Sequence, residues 1–134
     1  MNQNGGPERL ITQMKSLNGN TDGFQIVSSI KSSNTTLLTE FRPFKAFVTL
    51  ESSDLGLKKS GEFYFNFAKS GFTGIVCFNG SHFLLQTDPS TNLVQVEIFL
   101  SDRVLNNINI SEDLFRKSVD FFQAAVLMEE HIYR

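Results

Sequence analysis

Hydrophobic and polar positions along the chain fall into three regimes. Leu10, Ile11, Met14 and Leu17 recur at helical spacing, after Pro7, which suits a first helical turn, and before Asn18-Gly19, which stops one. They predict a short amphipathic helix over residues 7–17, behind a polar, flexible tail over residues 1–6. From Gly23 the period becomes two. Phe24, Ile26, Ser28 and Ile30 share one face of a strand, and Ser32-Ser33-Asn34 marks a turn. Thr36 to Phe41 reads as a second strand, broken at Arg42-Pro43. Phe44, Ala46, Val48 and Leu50 alternate with Lys45, Phe47 and Thr49 as a third strand, with Phe47 on its polar side. Residues 52–61 read as a loop.

Residues 62–100 predict a four-stranded antiparallel meander. Phe63, Phe65 and Phe67 alternate with Glu62, Tyr64 and Asn66, giving a strand whose core face is all Phe. The apolar runs 72–78 and 81–87 flank Asn79-Gly80, a strong hairpin signal because both turn positions take positive φ. After the turn at Asp88–Asn92, Val94, Val96, Ile98 and Leu100 alternate with Gln95, Glu97 and Phe99, which puts Phe99 on a polar face.

The third regime is C-terminal. Ser111 suits an N-cap, Glu112 and Asp113 suit the positive end of a helix dipole, and Ile110 and Phe115 stand where a hydrophobic staple would. The expectation is a helix over residues 111–133. Its apolar set includes Leu114, Phe115, Phe121, Phe122, Leu127 and Met128, which is broader than the stripe one sheet covers.

Composition narrows the function classes. The chain has 134 residues, 40% hydrophobic and 19% charged, which points to a single globular domain over residues 7–134. One cysteine excludes an intramolecular disulfide framework and a cysteine zinc cage. Net charge is −2, with +2 in residues 1–70 and −4 in residues 71–134, which argues against a strongly basic nucleic-acid surface. There are 14 Phe and no Trp, so any ring left outside the core becomes a candidate for contact with a partner. The polar N-terminus lacks an apolar signal stretch, and no apolar run reaches the ~18–20 residues that span a bilayer. The expected location is intracellular, cytoplasmic or nuclear.

Candidate chemistry is sparse. Cys77, between Val76 and Phe78, reads as a buried structural thiol, and His82 as a surface or cross-strand residue. His131 suits a helix end. An enzyme would need a pocket where His82 or Cys77 meets a carboxylate. Gly71-Phe72-Thr73-Gly74 lacks the lysine of a phosphate loop, and Asp54-Leu55-Gly56 lacks the oxygens of a calcium loop. No catalytic, metal or cofactor-binding residue is assigned, and no cofactor is expected. Lys31 is thin for a lipid headgroup, so membrane binding is not expected. Lys45, Lys58, Lys59 and Lys69 beside Tyr64, Phe47 and Phe99 leave a single-stranded nucleic-acid face as a lesser reading.

The element order over residues 24–133 resembles the pleckstrin-homology-like superfold, in which seven meandering strands are closed by a C-terminal helix. The fold class expected is thus mainly β (α+β), a small PH-like barrel or sandwich with about seven strands within residues 24–101. Leu114 to Phe122 also resembles the C-terminal helix of an OB-fold subunit of a nucleic-acid-binding complex. The function expected is a non-enzymatic protein–protein interaction module, a subunit or adaptor without a small-molecule substrate. Phe121, Phe122, Leu127 and Met128, with Phe47 and Phe99, are the expected contacts to a protein partner or a second copy. The alternative is an OB-like subunit associated with single-stranded nucleic acid.

Overall fold

The computed structural model describes residues 22–67 and 70–134. The expected tail (1–6) and helix (7–17), and Lys69, lie outside the described residues. Nine elements follow in chain order: β1 (Gly23–Lys31), α1 (Thr35–Thr39), α2 (Phe41–Asp54), β2 (Gly61–Asn66), β3 (Phe72–Cys77), β4 (His82–Asp88), β5 (Leu93–Ser101), α3 (Asn107–Phe121) and β6 (Ala125–Tyr133). The six strands make one antiparallel sheet in the order β2-β3-β4-β5-β1-β6. The sheet is open, so the expected PH-like barrel or sandwich of about seven strands is corrected, among the described residues, to a six-stranded sheet with three helices. Among the described residues no helix is long and apolar enough to cross a membrane.

The meander forms as its pattern predicts, and the Asn79-Gly80 turn takes the positive φ values it requires, 50° and 92°. Elsewhere the pattern misleads in identifiable ways. The expected second strand contributes α1, whose N-cap Asn34 accepts a hydrogen bond on Oδ1 from the Leu37 N–H at 3.2 Å. The expected third strand is α2. Its buried residues are Phe44, Val48 and Ser52, four apart, a set that also satisfies a period of two. Pro43 sits in the first turn, where its missing N–H has no intrahelical partner to lose.

The C-terminal expectation fails at its end. Helix α3 starts at Asn107, so Ser111 is buried within it and is not its cap. It stops at Phe121 in a Schellman-type turn. Ala124 N–H donates to Val119 O and Gln123 N–H to Asp120 O, both at 3.0 Å, with Gln123 at φ 53° where glycine is usual. Residues 125–133 then pair with β1 as an edge strand. Ser32 Oγ, donating to the Phe122 carbonyl, ties this turn to the end of β1.

The helices pack on one face of the sheet, against Phe24, Ile26 and Ile30 of β1 and against Phe83, Leu85, Val94, Val96, Ile98 and Leu100 of the meander. Phe44 is the hub of this core. Its ring lies 5.5 Å from Phe83, 5.8 Å from Phe72, 6.2 Å from Phe122 and 6.3 Å from Tyr64, centroid to centroid. On β2 the helix face takes Tyr64, stacked on Phe41 at 5.2 Å, and the Phe row points the other way. Phe63, Phe65 and Phe67 are therefore half-exposed, at 48%, 48% and 43%, and the expectation of an all-Phe core face is corrected. Phe44→Ala is expected to cost about 3–5 kcal/mol, the range for truncating a buried ring. Denaturant unfolding with an unchanged slope is the check.

Candidate functional site on the open face of the sheet

The face turned away from the helices carries, by register, Gln25, Val27 and Ser29 of β1, Thr73, Ile75 and Cys77 of β3, His82, Leu84 and Gln86 of β4, and Gln95, Glu97 and Phe99 of β5. Its polar centre is one pair. His82 Nε2 and Glu97 Oε2 are 2.8 Å apart, with the His82 side chain 3% and the Glu97 side chain 27% exposed. His82 stands opposite Phe99 in the β4–β5 ladder, and the two rings stack at 5.6 Å. Gly23 makes room for this stack. A Cβ there would stand 2.8 Å from the Phe99 ring and 2.5 Å from the Leu100 carbonyl oxygen.

Cys77 is the cross-strand neighbour of His82. Burial pushes its thiol up from the ordinary range, so it is held in the neutral form, which is a poor nucleophile. Among the described residues no three His, Cys, Asp or Glu side chains converge as a metal set. The expectation of Cys77 as a structural thiol thus agrees with its surroundings. His82 is cross-strand as read, but buried and paired.

Beyond the pair, toward Gln86 and Gln95, lies a partly open cavity of about 100 Å³ lined by Val27, Leu84, Gln86, Gln95 and Glu97. Ser29 Oγ donates to Gln95 Oε1 at 2.7 Å and so orients that amide. The cavity is smaller than a whole ligand site, typically about 300–1,000 Å³, but it admits one functional group of a ligand lying across the face. Glu97 brings a carboxylate to the cavity lining. Sequence reasoning passed over Glu97. The signal was present: with the turn at Asp88–Asn92, antiparallel pairing brings Leu84 opposite Glu97 and therefore His82 diagonal to it.

The six expected contact residues divide. Phe122 and Phe99 are buried, at 0% and 2%, and are corrected to interior positions. Phe122 closes the core beside Phe44, and Phe99 lies under the His82 ring. Phe47 and Phe121 are half-buried and stack on each other at 4.7 Å, so each covers much of the other's exposed surface. Leu127 and Met128 are exposed, at 57% and 43%, on edge strand β6 and not on a helix, and the register skips Leu127 at a bulge. His131 is likewise on β6, 2.6 Å from Glu129 and edge-on to Phe24.

No family model matches the chain, and no curated protein matches its sequence. The fold, however, is similar to that of a solved structure. That structure, with the same layout over 85% of this chain and 89% of its own, has a TM-score of 0.69 at 14% identity. It is the adenosylmethionine decarboxylase from Aquifex aeolicus. This overturns the expectation of a non-enzymatic adaptor on a PH-like or OB-like barrel. The open sheet is shared with an enzyme, and the helical apolar surface that supported the adaptor is here divided between core and an edge strand.

Removing the carboxylate leaves a buried imidazole without its partner. Glu97→Ala is therefore expected to cost about 1–3 kcal/mol, and Glu97→Gln, which keeps a hydrogen-bonding group, less. Chemical denaturation of both variants at neutral pH is the measurement.

Proposed function

We propose that the chain is an enzyme acting on a small cationic metabolite of the adenosylmethionine type, held on the open face with its cation at Glu97. The observation that carries this reading is the Glu97 carboxylate, fixed from behind by His82 and lining a cavity that is otherwise amide and aliphatic. A fold shared with a protein that acts on adenosylmethionine supports the ligand class. Adenosylmethionine presents a sulfonium and an ammonium, and a half-buried carboxylate attracts either more strongly than it would in bulk water.

In this reading the two side chains divide the work. Glu97 meets the ligand. His82 orients Glu97, its Nε2 standing 2.8 Å from the carboxylate Oε2. Gln86 and Gln95 flank the cavity as donors and acceptors for the polar parts of the ligand. Phe63 and Phe65, half-exposed on β2 about 14 Å across the sheet from Glu97, offer stacking surface for the far end of an extended ligand.

Calorimetric titration with adenosylmethionine, alongside release of carbon dioxide from the carboxyl-labelled compound, tests the reading. Saturable binding that weakens about 10–100-fold in Glu97→Gln is expected, in line with the loss of one charged hydrogen bond. Labelled carbon dioxide above the buffer rate would extend the likeness to the reaction itself. Absence of binding at millimolar ligand would overturn the assignment.

A further inference from the structure

Beyond one end of the sheet three connections converge: residues 55–60 between α2 and β2, the Asn79-Gly80 turn between β3 and β4, and residues 102–106 between β5 and α3. Between them lies a second cavity, of about 480 Å³. That is within the roughly 300–1,000 Å³ of small-molecule sites. Its floor is Leu57 and Phe78, buried members of the helix-side core, and its walls include the half-buried Val104 and Ile110. Leu105 stands at its lip and, at 82%, is the most exposed large apolar side chain among the described residues. Two cations, Lys58 and Arg103, also line the cavity, and no carboxylate among the described residues does. The neighbouring Asp102 carboxylate accepts from Asn107 Nδ2 at 3.2 Å, and the first turn of α3 holds no acidic residue. The walls are fixed before any ligand arrives. Leu57 N–H donates to Ser52 O at 2.8 Å, Asn79 N–H to Ser60 Oγ at 2.9 Å and Val104 N–H to Ser101 O at 3.0 Å.

We propose that this cavity binds a small amphipathic carboxylate of the medium-chain fatty-acid class, with its chain on the apolar floor and walls and its headgroup at Lys58 and Arg103. Charge complementarity selects the sign of the ligand. Two cations border an apolar hollow with no anion facing them, and Lys58 enters none of the ion pairs among the described residues. The lining selects the body of the ligand. It is aliphatic apart from the Phe78 ring, and Asn79 is its one uncharged polar side chain, so a highly polar molecule finds few partners there. An inorganic anion leaves the apolar lining unmet, and a neutral alkyl chain leaves the cations unmatched. A bound alkyl chain also covers Leu105, which otherwise faces water. This cavity shares no lining residue with the one beside Glu97, so the inference does not rest on the adenosylmethionine reading.

Calorimetric titration of the full chain with octanoate and decanoate, kept below their aggregation concentrations, tests the proposal, with octanol and octylammonium as controls of equal length. Octanoate is expected to bind saturably and decanoate about 15-fold more tightly, because each buried methylene is worth roughly fourfold. Octanol should bind about tenfold more weakly than octanoate, for want of a charged hydrogen bond, and octylammonium not at all. Lys58→Gln is expected to weaken octanoate about tenfold and to narrow its advantage over octanol. Leu105→Ser should weaken decanoate and leave the preference for a carboxylate intact. Both side chains are exposed, so both variants keep the fold. Backbone-amide shifts on titration should centre on Leu57, Phe78, Val104 and Ile110. Absence of binding, equal affinity for octanol and octanoate, no gain from octanoate to decanoate, or an unchanged carboxylate preference in Lys58→Gln would overturn the proposal. So would shifts centred on Leu84 and Gln86 of the open face.

Discussion

The structure depends on strand β1 being paired on both sides along nearly its whole length. Gly23 to Lys31 pair with β5, and Phe24 to Lys31 with β6. The first described strand thereby joins the meander to the last strand of the chain. Gly23 and Arg134 exchange backbone hydrogen bonds at 3.2 and 2.8 Å, which closes this pairing at one end. Ser28 Oγ, donating to the Met128 carbonyl at 2.7 Å, spans the bulge that lets β6 continue. Without β1 in this position, α3 would lose much of the apolar floor beneath Leu114 and Phe115, which β1 shares with β5, and the open face would lose the Gln25 and Val27 side of its site. Contacts between residues about a hundred positions apart hold the sheet together, so its completion awaits the docking of the two ends of the described chain.

Those long-range requirements mark the boundary of what the sequence made legible. The meander was readable because its signals are local: alternation over five to nine residues and an Asn-Gly turn. Residues 125–133 were not. Ala125 to Tyr133 contains good helix formers, and the break before it uses Gln123 in the left-handed region, with no Gly or Pro to announce it. Pairing with the free edge of β1 outweighs the local preference, a tertiary override that no window of nine residues contains. Helix α2 failed differently. Phe44 and Val48 satisfy both periods, and the residue that separates them is Leu50, exposed at 59% on the helix but destined for the core had the segment been a strand.

The open face was also half-legible. Phe99 was rightly placed on the face opposite Ile98 and Leu100, and wrongly taken as exposed: it is buried and stacked on the His82 ring. Phe63 and Phe65 were assigned to the helix face, a one-residue inversion whose cause is visible in the fold: the helix side of β2 has room for the Tyr64 ring between Phe41 and Phe44. With these corrections, the residues that looked like scattered oddities gather on one surface. Cys77, His82, Glu97, Phe99 and the β2 Phe row share it. The reverse face carries the core and leaves little chemistry to spare.

The central claim is that function resides on this open face, between β1, β4 and β5. Backbone-amide NMR of the labelled chain, titrated with adenosylmethionine, tests it most directly. The account predicts shifts confined to Val27, Leu84, Gln86, Gln95, Glu97 and their strand neighbours. Shifts centred instead on the helix surface around Arg42, Lys45 and Leu50, or no shifts at saturating ligand, would contradict it.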